Sequence, residues 1–143
     1  MFDTPKPDPV LSHNRTVLLD ALRAAGAAYA VITYSGFGDS GNANAIQILD
    51  TRGQEIHGDQ AVSVLREDGR YVNGQWQSTQ SMAELSLRDA LDAFADRAVD
   101  RYHPGFEDND GGEGEITFDV AAGTVCMAHR DFYVESTHTE TDL

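Results

Sequence analysis

The sequence predicts an α+β fold, a single domain with a mainly antiparallel sheet and two helices packed on one face. Three observations predict it. Two segments repeat apolar residues at helical spacing, several shorter ones carry strand patterns, and most of those strands follow one another across short turns. At 143 residues, with 41% hydrophobic and 24% charged residues, the chain has the size and balance of one globular domain. Residues 1–9 are expected as a flexible N-terminal tail, 10–138 as the domain and 139–143 as a C-terminal tail.

The first helix begins with Asp8-Pro9 as N-cap and first helical position, since proline has no N–H to leave unsatisfied there. Val10, Leu11, Val17, Leu18, Ala21, Leu22 and Ala25 supply its apolar face, and Gly26 stops it. Strands follow at Ala28–Tyr34 and Ala45–Asp50, antiparallel to each other. Across 51–79, Val62–Leu65 has strand character, and Asp68-Gly69 and Asn73-Gly74 compete as hairpin turns. The reading adopted is a turn at 67–69, a strand from Arg70 to about Gln77, and Trp76 packed at its end.

Ser81-Met82-Ala83-Glu84 has the form of a capping box and opens the second helix. Leu87, Leu91, Phe94, Ala98 and Tyr102 form its stripe, expected to face a sheet containing Val31 and Phe118. Opposite them stand Asp92, Asp96 and Asp100, a solvated row whose repulsion Arg97 and Arg101 partly offset. Ile116, Phe118 and Val120 alternate as a strand, Ala121-Ala122-Gly123 turns, Thr124–Ala128 returns, and 129–137 continues as an edge.

The net charge is −14, and residues 81–143 hold fifteen acids against four bases. Phosphate recognition relies on Lys and Arg, so direct nucleic-acid binding and anionic membrane surfaces are excluded as natural roles. No apolar run has the roughly 20 residues of a membrane-spanning helix. The segment before Val10 has three prolines and two aspartates, unlike a signal peptide, so a cytoplasmic location is expected. One cysteine, Cys126, forms neither an internal disulfide nor a thiolate cluster.

Gly38-Asp39-Ser40-Gly41 superficially matches a serine-protease nucleophile segment, but no histidine and acid are spaced around it as a triad requires. The two glycine-rich acidic segments, 35–42 and 105–115, are more informative as a pair. Each joins a phenylalanine to glycines and carboxylates, donors suited to Ca²⁺ or Mg²⁺. Asp39, Glu107 and Asp110 are the candidate ligands, although Asp108-Asn109-Asp110-Gly111 lacks the glutamate of a helix-loop-helix calcium site. The alternative is local bonding of Asp, Asn and Ser to nearby backbone. The expectation is that Asp39 and Asp110 lie close together at one end of the sheet.

The segment Tyr34–Gly41, together with His103-Pro104-Gly105-Phe106-Glu107-Asp108-Asn109-Asp110-Gly111-Gly112-Glu113-Gly114-Glu115 and Ile116-Thr117-Phe118-Asp119-Val120, resembles an uncharacterised bacterial family of small acidic proteins often encoded on plasmids and mobile elements. The likeness covers about Asn14 to Tyr133. The family usually continues its first loop with a glutamate where this chain reads Gly41-Asn42-Ala43-Asn44, and it carries tryptophan at the place of Phe106. The resemblance implies an accessory or counter-defence role without a known activity.

These observations favour a non-enzymatic binding protein that docks a basic protein surface, in its sharpest form by mimicking DNA charge, with no cofactor. The residues expected to carry it are Asp92, Asp96, Asp100, Glu107, Asp108, Asp110 and Glu113, on one continuous face. The alternative is a small divalent-metal-dependent enzyme or sensor built on the two acidic segments.

Overall fold

The computed structural model describes residues 8–37, 40–41, 44–102, 112–131 and 137–143. Helix α1 (Pro9–Ala24) starts as its sequence dictates: the Asp8 carboxylate accepts the Val10 N–H at 3.0 Å. It ends before Gly26, at φ 78°. The chain continues through β1 (Ala27–Phe37), β2 (Ser40–Gly41), β3 (Ala45–Asp50), β4 (Ala61–Val72) and β5 (Gln75–Ser86). Helix α2 (Leu87–Tyr102), β6 (Gly112–Asp119), β7 (Thr124–Asp131) and β8 (Thr137–Asp142) complete it. No helix among the described residues is long and apolar enough to cross a membrane.

The result is a small α+β domain with two antiparallel sheets. In the six-stranded one β1 is central; β2 and β3 pair with it, and β6, β7 and β8 follow in order on its other side. Alternation along these strands sends Ala30, Ile32, Ile48, Ile116, Phe118, Val125 and Met127 to one face, where they are buried under the helices. Leu87, Leu91, Phe94 and Ala98 of α2 pack there, with Tyr102 half-buried, and the Phe94 and Phe118 rings meet edge to face at 5.2 Å. Val31 is not part of this core: its register position puts it on the opposite face, and Ile32 takes the inward place.

Residues 61–86 form one hairpin, and the turn at 67–69 is a correction. Asn73 and Gly74, at φ 52° and 80°, close it, the pair of positive angles a two-residue I′ turn needs. Asp68-Gly69 lies inside β4 instead, since a turn at Asn73-Gly74 lets twelve residue pairs form from Ala61–Ser86 to Val72–Gln75. Trp76 therefore stands near the hairpin tip, 77% exposed, against the edge of Tyr71 rather than packed.

The capping box at Ser81 is also overturned. Residues 81–84 pair with 63–66 in the ribbon, and the helix opens five residues later, where the Ser86 hydroxyl accepts the Asp89 N–H at 3.1 Å. The loop before β4 satisfies two more free N–H groups: Leu87 donates to the Gln60 carbonyl at 2.8 Å and Arg88 to that of Gly58 at 3.1 Å. The ribbon meets the body through its base and, farther out, through Glu67, which Arg97 of α2 reaches at 3.4 Å. Val64 is buried against the helices, and Asn14 of α1 bonds both the N–H and carbonyl of Leu65, at 2.7 and 2.9 Å.

The expected tails are shorter than the sequence suggested. Asp8 and Pro9 belong to α1, and Asp8 is clamped by Arg97 at 2.8 and 3.0 Å. Residues 139–142 lie in β8, which covers the edge of β7, and the Leu143 N–H reaches the Val125 carbonyl at 2.9 Å.

Candidate functional site

The inner face of the main sheet changes character along its length. One register row is wholly apolar, Ile48–Ala30–Phe118–Val125, and the next is Ile46–Ile32–Ile116–Met127. The following row is Tyr34–Gly114–His129, and the one beyond is Gly36–Gly112–Asp131. The sheet thus passes from core to polar, glycine-rich ground within two residues.

Tyr34 and His129 meet across that third row. Their rings stack at 5.7 Å, and Tyr34 Oη lies 2.7 Å from His129 Nδ1, both side chains being buried. Gly114 makes this possible: a Cβ at that position would lie 2.6 Å from Tyr34 Cζ and closer still to Tyr34 Oη and the Ala128 carbonyl. A glycine inside a strand here lets a neighbouring ring lie flat over the backbone. The pair holds the imidazole in one orientation, a fixed polar element where the two acidic segments enter the sheet.

Gly36 and Gly112, described residues within those segments, are register partners, so β1 leaves and β6 enters the sheet at the same end. Asp39, Glu107, Asp108 and Asp110 themselves lie outside the described residues, as does the expected meeting of Asp39 with Asp110. Among the described residues no group of three or more His, Cys, Asp and Glu side chains is placed to hold a metal ion.

The α2 carboxylates are not a free row. The Asn44 side-chain amide donates to Asp92 Oδ1 at 2.7 Å and to Asp96 Oδ1 at 2.8 Å, bridging them to the segment before β3. Partial burial raises the Asp96 carboxyl above its ordinary value; the Asn44 bond opposes this and the Asp92 charge adds to it. Asp100 is exposed on the last turn of α2. Arg97 does not offset this row, because it turns to Asp8 and to Glu67 at 3.4 Å. Glu113 stands elsewhere, paired with Arg130 on the sheet face turned away from α2. The helix row and Glu113 therefore do not share one face.

That outward face is the part the sequence did not reveal. Its register rows are Val31–Thr117–Cys126–Asp142, Thr33–Glu115–Ala128–Glu140 and Ser35–Glu113–Arg130–His138. Small and half-buried positions at its centre are bordered by carboxylates. Thr33, Glu113, Gly114, Glu115, Ala128, His129 and Arg130 line a cleft of about 380 Å³ there. The field is felt by Cys126: burial first, then the Asp142 and Glu140 charges, push its thiol up. Threonine at every second position from 137 to 141 was the available sign that a further strand carries Glu140 and Asp142.

The chain belongs to a family of unknown function (DUF6878), whose model matches residues 10–143. No curated protein and no solved structure matches it.

Proposed function

We propose that this chain is a non-enzymatic, cytoplasmic binding protein that docks a basic protein surface on the outward face of its main sheet. The observation that carries this reading is that face itself: both helices pack against the other side, leaving it uncovered among the described residues, with Glu113, Glu115, Glu140 and Asp142 around a low centre. The cleft sets the Glu115 carboxylate beside the Glu113–Arg130 pair, where an arginine or lysine side chain of a partner can meet Glu115 and compete for Glu113, and complementary charge speeds encounter and selects partners. The helix row of Asp92, Asp96 and Asp100 becomes a secondary, lateral contact, and Glu107, Asp108 and Asp110 remain partner-binding candidates on their charge alone. An accessory or counter-defence role, in which carboxylates occupy a surface that otherwise holds nucleic acid, fits this chemistry.

Capture of host proteins on the immobilised chain at low salt tests the reading. Glu115→Lys with Glu140→Lys should abolish capture of a basic partner, while Asp92→Lys with Asp100→Lys weakens it modestly. Equal capture by all three proteins would exclude the outward face.

A second reading rests on the pairing of Gly36 with Gly112, which enters both acidic segments at one end of the sheet. There a divalent cation would be bound by Asp39, Glu107 and Asp110 in an enzyme or sensor. Calorimetric titration with Ca²⁺ and Mg²⁺ distinguishes it: binding lost in Asp39→Asn and in Asp110→Asn supports the metal, and no heat in the unaltered chain removes it.

A further inference from the structure

Three of the four large apolar side chains exposed among the described residues lie on one face of the β4–β5 ribbon: Tyr71, Trp76 and Met82 are 63%, 77% and 56% exposed. The ribbon is a two-stranded sheet of its own, and residues 66–69 and 73–82 are exposed throughout. Nothing in the core requires aromatic side chains so far from the body.

The order of side chains along that face is self-complementary. From tip to base its register pairs are Tyr71–Trp76, Gly69–Ser78, Glu67–Gln80 and Leu65–Met82. A large pair, a small pair, a long polar pair and a second large pair follow one another. Turned end for end, the series lays aromatic rings over Leu65 and Met82, and Gly69 and Ser78 over Glu67 and Gln80. A two-fold axis makes this exchange of every pair with its complement. The Trp76 ring already leans over Gly69 within its own chain, 3.7 Å from where a Cβ would stand, and meets the Tyr71 ring edge to face.

We infer that the ribbon is a dimerisation arm, and that its occupant is the same arm of a second copy, packed face to face and antiparallel. Charge supports this partner. Residues 66–81 hold Arg66 and Arg70 against Glu67 and Asp68, a neutral stretch in a chain of −14. The tip and base of the face are six residues apart along a strand, or roughly 20 Å, and this separation sets the acidic bodies beyond the ~8–10 Å over which salt screens charge. Area supports it too. With aromatic side chains burying on the order of 150–250 Å² each, the two copies together cover on the order of 1,000 Å², enough for a specific if modest dimer.

Trp76 is the sole tryptophan and reports directly on this contact. Sedimentation velocity should show a monomer passing to a dimer as the whole chain is concentrated from micromolar to sub-millimolar, with Trp76 emission moving to shorter wavelength in step. Met82→Glu should leave the fold intact by circular dichroism, keep the chain monomeric and hold the emission at long wavelength. In one chain residue 82 is too distant to touch the indole, so that response must cross between copies. A chain that stays monomeric over the whole range, or a dimer whose mass and Trp76 emission are unchanged by Met82→Glu, would overturn the arm.

Discussion

The two faces of the main sheet are built from the same strands, one residue out of step, and they answer to different constraints. On the inner face Ile32, Ile116, Phe118 and Met127 are fully buried, and Tyr34 and His129 complete the layer. On the outer face Thr33, Glu115 and Arg130 are exposed, and Cys126 feels the carboxylates beside it. A one-residue step thus separates what stabilises the domain from what it presents to others. Substitutions on the inner face should lower stability, and charge reversals on the outer face should change binding while moving stability by no more than about 0.5 kcal/mol.

The sharpest test of that division is Phe94→Ala. The ring is buried and packed on Phe118, so chemical denaturation should show a loss of about 3–5 kcal/mol. A smaller effect than Glu115→Lys produces would break the distinction between faces. Gly114→Ala comes next, because its Cβ would collide with the Tyr34 ring. We expect a cost of about 1–3 kcal/mol, with His129 ring resonances shifted in the NMR spectrum as the Tyr34 contact is displaced.

Asp8→Asn keeps a good N-cap but removes the charge facing Arg97, and should cost about 1–2 kcal/mol at neutral pH. Burial pushes the Asp8 carboxyl up, but the Arg97 hydrogen bond, the Val10 N–H and the Arg97 charge together hold it below its ordinary value. Its contribution is therefore complete above 3.8, that ordinary value, and lost as pH falls through the lower folded value. The stability difference between Asp8→Asn and the unaltered chain should close in acid. Asp96→Asn should have the smallest effect and the opposite sign. The raised Asp96 carboxyl contributes favourably when protonated and loses that as pH rises through its folded value. Removing the charge should then add a few tenths of a kcal/mol at neutral pH, and the gain should vanish in acid.

What the sequence disclosed follows the range of the deciding interaction. Helix α1 is fixed within its own first and last turns, by Asp8, Pro9 and Gly26, and the sequence reading placed both ends. Helix α2 offers two serines with an acid three residues on, Ser81 with Glu84 and Ser86 with Asp89. Local chemistry does not separate them; the pairing of residues 61–66 with 81–86 does. The same long-range pairing decides between Asp68-Gly69 and Asn73-Gly74. The candidate site was less legible still. Tyr34 and His129 are 95 residues apart, and their only local trace is a glycine inside the strand between them. The spacing of Asp92 and Asp96 showed that they share a helix face, but gave no hint that Asn44 would bridge them.

The order of pairing around β1 has a consequence for how the chain assembles. Its partner β3 follows closely in sequence, so that hairpin can form early. Its other partner, β6, is joined to it across the whole ribbon and α2, with Ile32 and Ile116 roughly eighty residues apart. Closing that gap must precede the gain from contact, and such topology slows folding. During synthesis one flank of β1 stays unpaired until β6 has emerged, after the whole ribbon and α2, and its apolar residues wait with it. Folding should therefore be limited by the docking of β6 rather than by either helix, and the newly made chain is most open to wrong partners just before that step.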